Sequence, residues 1–124
     1  MLSVIAEKSG DVLVLNCSGR LVAGEGAWTL YNTVISEQNE RAVVLDMRGV
    51  NRVDARGLGV LVFLNQWAIG RGVKLELIPS KAVGELLDLT KLRSLFEVRS
   101  EEHVRSAAIL TGGAHRDALK ADAA

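Results

Sequence analysis

The run Asp54-Ala55-Arg56-Gly57 sets a carboxylate, a guanidinium and a glycine where an apolar strand pattern gives way to an apolar helical one. An acid at such a junction caps the helix, here beginning near Arg56, by accepting backbone N–H bonds. The same turn can serve as a contact surface, and the sequence allows Asp54 both roles. Arg56 reads either as a solvated charge or as half of an ion pair with an acidic partner surface, a task that suits the planar guanidinium. Other chemistry is thin. Gly57-Leu58-Gly59 superficially matches a phosphate loop but lacks the Gly-Lys-Ser/Thr ending and the second half of a dinucleotide fingerprint. No Gly-x-Ser-x-Gly nucleophile turn occurs, and no carboxylate pair for acid–base work is evident. One cysteine, Cys17, and two histidines, His103 and His115, make neither an internal disulfide nor a zinc cluster. Cys17 reads as a small buried hydrophobe. The expectation is a chain with no catalytic residues, no cofactor and no metal.

The elements around this turn follow from periodicity. Leu2 to Ala6 and Asp11 to Cys17 read as two strands joined by the turn cluster Lys8-Ser9-Gly10-Asp11, an antiparallel hairpin. Val12 and Val14 fall on one face and Leu13, Leu15 and Cys17 on the other, so that strand is expected to be covered on both sides. Ser18-Gly19 is expected to end it. Ala27, Leu30, Tyr31, Val34 and Ile35 follow helical spacing, with Trp28 off the main stripe. Ala42 to Met47 is a buried central strand. Gly57 to Ile69 is a helix stopped by Gly70 and Gly72. Val73 to Ile78 alternates as a half-buried strand closed by Pro79. Ser80 caps a further helix, Leu95 to Val98 is a short edge strand, and Ser100 caps a last helix. The fold class predicted is α/β: a mixed sheet of four to five strands with about four helices packed on it. Residues 1–112 form the domain and 113–124 a flexible tail.

The helix from Leu58 to Ile69 carries more apolar surface than one sheet face absorbs. The surplus predicts an exposed interaction patch, with Leu58, Leu61 and Val62 as its contributors. An exposed Trp28 would anchor an interface, whereas Trp67 reads as core.

Composition narrows the function class. Fifteen basic residues balance fifteen acidic ones among 124 residues, so no net field draws the chain to nucleic acid or to an anionic membrane. The apolar run Leu58 to Leu64 is too short to span a bilayer. The lone cysteine and the lack of a signal peptide predict a cytoplasmic protein.

The stretch Val43 to Leu64, VVLDMRGVNRVDARGLGVLVFL, resembles the STAS (sulfate transporter and anti-sigma factor antagonist) domain. The parts that match are the strand end Val44-Leu45-Asp46, the loop Gly49-Val50, the turn Asp54-Ala55-Arg56-Gly57 in place of Asp-Ser-x-Gly, and the apolar helix from Leu58 to Leu64. Gly19-Arg20-Leu21 resembles the Gly-x-Leu before the first helix. Leu89-Thr90-Lys91-Leu92 with Leu95-Phe96-Glu97-Val98, and then Ser100-Glu101-Glu102, resemble the family's late segments. The resemblance covers residues 2 to 110 and implies an α/β STAS-like domain that binds an anti-sigma factor with serine-kinase activity, freeing a sigma factor, until the turn serine is phosphorylated.

Here the chain departs from that pattern. Ala55 stands at the phosphoserine position and has no hydroxyl to esterify, and no Ser, Thr or Tyr occurs between Ser36 and Ser80. Val22 stands where many members carry Asp. Two readings follow from the resemblance. One is an antagonist that is never phosphorylated at this turn. The other is a STAS subunit of another complex, such as an ABC transporter or a sensor assembly. The residues implied at the partner surface are Asp54, Ala55, Arg56, Gly57, Leu58, Leu61 and Val62, and a homodimer is compatible with either reading. A receiver-like phosphoaspartate protein is the remaining rival. It needs acids clustered to hold Mg²⁺, and Ser18-Gly19-Arg20-Leu21-Val22 supplies none.

Overall fold

The computed structural model describes residues 1–36 and 40–99. Strands β1 (Leu2–Ser9) and β2 (Val12–Leu21) form the predicted antiparallel hairpin, with Val4 opposite Cys17 and Ala6 opposite Leu15. Strands β3 (Ala42–Val53), β4 (Lys74–Ile78) and β5 (Glu97–Val98) add in parallel, giving a five-stranded mixed sheet in the order β1-β2-β3-β4-β5. Helices α1 (Glu25–Ile35), α2 (Ala55–Gly70) and α3 (Lys81–Thr90) are the crossovers between successive parallel strands. With every crossover running the same way across the sheet, right-handed connections stack all three helices on one face.

Burial follows that arrangement. Leu30 and Val34 of α1, Leu61, Leu64 and Ala68 of α2, and Val83 and Leu87 of α3 share one buried cluster with Leu13, Leu15, Leu45, Leu75 and Leu77 of the sheet. The opposite face holds a smaller cluster, Val44 and Ile78 flanked by the half-buried Val12 and Val14. Val12 and Val14 are therefore less covered than a doubly buried strand requires. Trp67 is half-buried rather than core, with the Arg71 guanidinium 5.2 Å above its ring.

Three strands outrun their expected ends, β1 by running past Ala6 to Ser9. β2 continues past Ser18-Gly19 to Leu21, and β3 continues through Gly49-Val50 to Val53. The ladder persists through register shifts between Asn16 and Ser18 and between Gly19 and Arg20. Gly19 has φ 104°, and a Cβ there would lie 2.3 Å from the Met1 carbonyl oxygen. The glycine that looks like a stop signal marks an irregularity within a strand instead. This extension matters because it carries β2 and β3 together to the start of α2, where Leu21 pairs with Val53.

Local chemistry fixes the remaining joints. The Ser80 hydroxyl accepts the Val83 N–H at 3.1 Å and caps α3, as its sequence predicts. Buried Asn65 donates from Nδ2 to the Leu95 carbonyl at 2.9 Å, pinning the 3₁₀ turn Arg93–Leu95 that leads into β5. The final helix expected from Ser100 and the tail expected at 113–124 lie outside the described residues.

Candidate functional site

Asp54 leaves β3 in an extended conformation, φ −116° and ψ −175°, the ordinary backbone of an N-cap. Its Oδ1 accepts the Gly57 N–H at 2.8 Å, and its Oδ2 accepts the Ala23 N–H at 3.0 Å. One carboxylate therefore ties the first turn of α2 to the loop between β2 and α1, across 31 residues of sequence. The Asp54 N–H donates to the Leu21 carbonyl at 3.3 Å. The N–H groups of Ala23 first and Gly57 second favour the ionised form and hold the Asp54 carboxyl below the usual carboxylate range.

This clasp presents Ala55 and Arg56 to solvent at the start of α2. The Arg56 side chain makes no hydrogen bond or ion pair with any described residue. Beside it, α1 and α2 expose an aromatic ladder. Trp28 stacks on Tyr31 at a centroid distance of 5.5 Å and an interplanar angle of 17°, and Tyr31 meets Phe63 at 5.3 Å and 44°. The i, i+3 spacing puts Trp28 and Tyr31 on one side of α1. Trp28 is 64% exposed and Phe63 47%. An open groove of about 310 Å³ runs between α1 and the turn, bounded by Ala23, Gly24, Ala27, Trp28, Tyr31, Arg56 and Val60.

The STAS domain family model matches residues 3–107. The chain belongs to the STAS domain family. Among solved structures, its fold is similar to that of a Thermotoga maritima protein assigned as an anti-sigma factor antagonist, with 23% identity over 79% of this chain and 86% of the other and a TM-score of 0.69. An anti-sigma factor antagonist from Mycobacterium paratuberculosis aligns with 19% identity over 79% and 85% and a TM-score of 0.68. The antagonist SpoIIAA in its unphosphorylated form aligns with 14% identity over 89% and 97% and a TM-score of 0.66. At these identities the likeness is one of fold. No curated protein matches the chain in sequence.

Within this STAS domain the sequence-predicted residues separate into two groups. Asp54, Ala55, Arg56 and Gly57 come together as one turn, with Ala55 and Arg56 exposed and Gly57 buried. Leu58 and Leu61 do not form an exposed patch: both are buried against the sheet, Leu61 completely, and Val62 is half-buried. The face of α2 that carries Leu58, Leu61 and Leu64 is the one turned to the core, which leaves Val60 and Phe63 beside α1. The exposed apolar surface therefore exists, displaced around the helix. Tyr31 and Phe63 are the members of it that the sequence conceals. The off-stripe position of Trp28 was the available signal. Val22, at the position where an acid was expected, is half-buried.

Cys17 is buried, and burial pushes its thiol up to about 12, with the Asp46 charge adding to the effect. Asp46, at what the sequence reads as the end of a buried strand, is expected to bond loop amides; it accepts the Arg48 N–H at 3.1 Å and also pairs with the Arg48 guanidinium at 2.9 and 2.7 Å. It does so within β3 and not in a loop. Among the described residues no three His, Cys, Asp or Glu side chains converge to hold a metal ion. No helix among them is long and apolar enough to cross a membrane.

Proposed function

We propose that this STAS domain is an anti-sigma factor antagonist that binds its partner through the surface around Ala55 and Arg56, acts by binding and not by catalysis, and works in the cytoplasm. The observation that carries the reading is the exposed Ala55 at the first position of α2, in a turn held rigid by Asp54. In the relatives this chain resembles, a serine at this point is the covalent switch. A phosphate there would add about −1.5 to −2 charge beside free backbone N–H groups. Alanine keeps the shape of the turn and removes the acceptor, so the complex has no off-switch at this site. Control then falls to abundance or competition. Asp54 and Gly57 shape the surface, Leu58 and Leu61 support it from beneath, and Trp28, Val60 and Phe63 extend it. Occupation of both Asp54 oxygens by backbone N–H groups argues against a receiver-like phosphoacceptor.

The test mixes the chain with an ATP-binding anti-sigma factor kinase from the same source, with and without Mg-ATP. The expected outcome is a complex that survives ATP, with the intact mass of the chain unchanged. The variant Ala55→Ser should gain one phosphate and dissociate. Failure to bind any such kinase, with stable binding to a transporter or sensor subunit instead, would replace this reading with the subunit one.

A further inference from the structure

The groove between α1 and the start of α2 has apolar walls, one cation and no anion. Asp54 is the nearest carboxylate in the turn, and both its oxygens are already bound to backbone N–H groups. Arg56 stands over the groove with no partner for its guanidinium among the described residues. Trp28, stacked on Tyr31 and mostly exposed, offers a large flat apolar face that loses little freedom on binding. An aromatic anchor beside an unpaired arginine is the composition of a protein-binding hot spot. The cavity of about 310 Å³ sits at the small end of ligand-binding pockets and has room for a few side chains.

Resting on the interaction reading above, we propose that this groove takes an acidic, aliphatic segment of the partner protein, with a bulky aliphatic side chain against Trp28 and Val60 and an adjacent carboxylate on Arg56. A carboxylate is the group that satisfies the guanidinium fork with two parallel hydrogen bonds. A second copy of the chain fits poorly. A two-fold contact centred on the groove would set Arg56 against its own equivalent, with no acid in the lining to separate them.

The test uses the full chain carrying Trp67→Phe, which leaves Trp28 as the single indole. The probes are three synthetic peptides of about twelve residues, identical except that Glu, Gln or Lys flanks a central Leu-Ile pair. Binding is read from Trp28 fluorescence and from backbone amide shifts. The Glu peptide should bind about tenfold more tightly than the Gln or Lys peptide, and the advantage should shrink with salt. Shifts should centre on residues 23–31 and 55–63. Arg56→Glu should invert the order in favour of the Lys peptide, and Trp28→Ser should abolish binding while circular dichroism stays unchanged. Equal binding of the three peptides, an order insensitive to Arg56→Glu, shifts on another face, or a dimer that Trp28→Ser disperses would each overturn the proposal. If the anti-sigma factor binds undiminished to Trp28→Ser, the groove assignment falls and the antagonist reading stands. If the Glu peptide binds and no anti-sigma factor does, the reverse holds.

Discussion

Gly57 lies so close to Leu21 that a Cβ on it would stand 2.1 Å from the Leu21 carbonyl oxygen. That oxygen also accepts the Asp54 N–H. The start of α2 is thereby seated directly on the end of β2, and no side chain fits between them. Gly57→Ala must shift the helix or the strand, because the obstacle is backbone and cannot rotate away. A loss of about 1–3 kcal/mol is expected from urea unfolding, the range for overpacking a tight site. Gly59→Ala is the control. Its Cβ would meet nothing within 4 Å, and alanine favours a helix, so that variant should match or exceed the parent in stability.

Asp54 joins the same seat electrostatically. Its folded pKa is depressed, so the ionised form is favoured in the folded state. The sign follows: the carboxylate contributes stability above the pKa of the unfolded chain, and that contribution is lost as pH falls through the lower, folded value. Asp54→Asn should therefore melt at a lower temperature than the parent at pH 7. The gap should narrow as the buffer is taken down through the acid range. A gap independent of pH would show that shape and not charge makes the clasp.

Leu61 and Phe63 sit two residues apart on α2 and do opposite work. Leu61 is fully buried, whereas Phe63 is about half exposed beside Tyr31. Leu61→Ala should cost roughly 2–5 kcal/mol, as deletion of a core leucine does. Phe63→Ser should change stability by less than about 1 kcal/mol and instead weaken partner binding.

That contrast shows where sequence reading stops. The caps Asp54 and Ser80 were legible because an N-cap is local: residue type and position next to an apolar run suffice. The alternation of β2 placed Leu13, Leu15 and Cys17 together on one face, but it also suggested a second covered face at Val12 and Val14, which are only half-buried. The phase of α2 did not, because apolar residues surround most of that helix and only its neighbours decide which are covered. Leu58 and Leu61 went inward and Phe63 outward. The extensions of β2 and β3 were hidden for a related reason. Gly19 and Gly49 look like breaks in a strand pattern, yet the ladder tolerates them through register shifts visible only when both strands are paired. Asn65 reads as a polar interruption, and its partner, the Leu95 carbonyl, is 30 residues away.

Cys17 gives a chemical check on the sheet. Its thiol is buried beneath the helices, donates weakly to the Leu15 carbonyl at 3.7 Å and is pushed up to about 12. The thiolate is the reactive species, so alkylation needs both exposure and deprotonation. At pH 8 iodoacetamide should leave the native chain unmodified for hours and label it promptly in denaturant. Rapid native labelling would mean that β2 opens readily.

Arg20 and Arg52 face each other in the register between β2 and β3, at the end of the sheet nearest the turn. Both are exposed, and neither side chain bonds any described residue. Leu21 and Val53, the next pair, point into the helix-covered core, so the two arginines lie on the opposite face of the sheet. Neighbouring strands are only about 4.8 Å apart, so the two charges repel with no acid between them. Arg20→Glu replaces that repulsion with an opposite-charge pair. It should stabilise the fold by roughly 0.2–1 kcal/mol in low salt, the range for a cross-strand pair. The gain should fade at high ionic strength, because exposed charges are screened. The double variant Arg20→Glu with Arg52→Glu should lose it again. Thermal melts of the parent, the single variants Arg20→Glu and Arg52→Glu, and the double variant at two salt concentrations complete the cycle, and a gain that survives in the double variant would show that the two side chains do not interact.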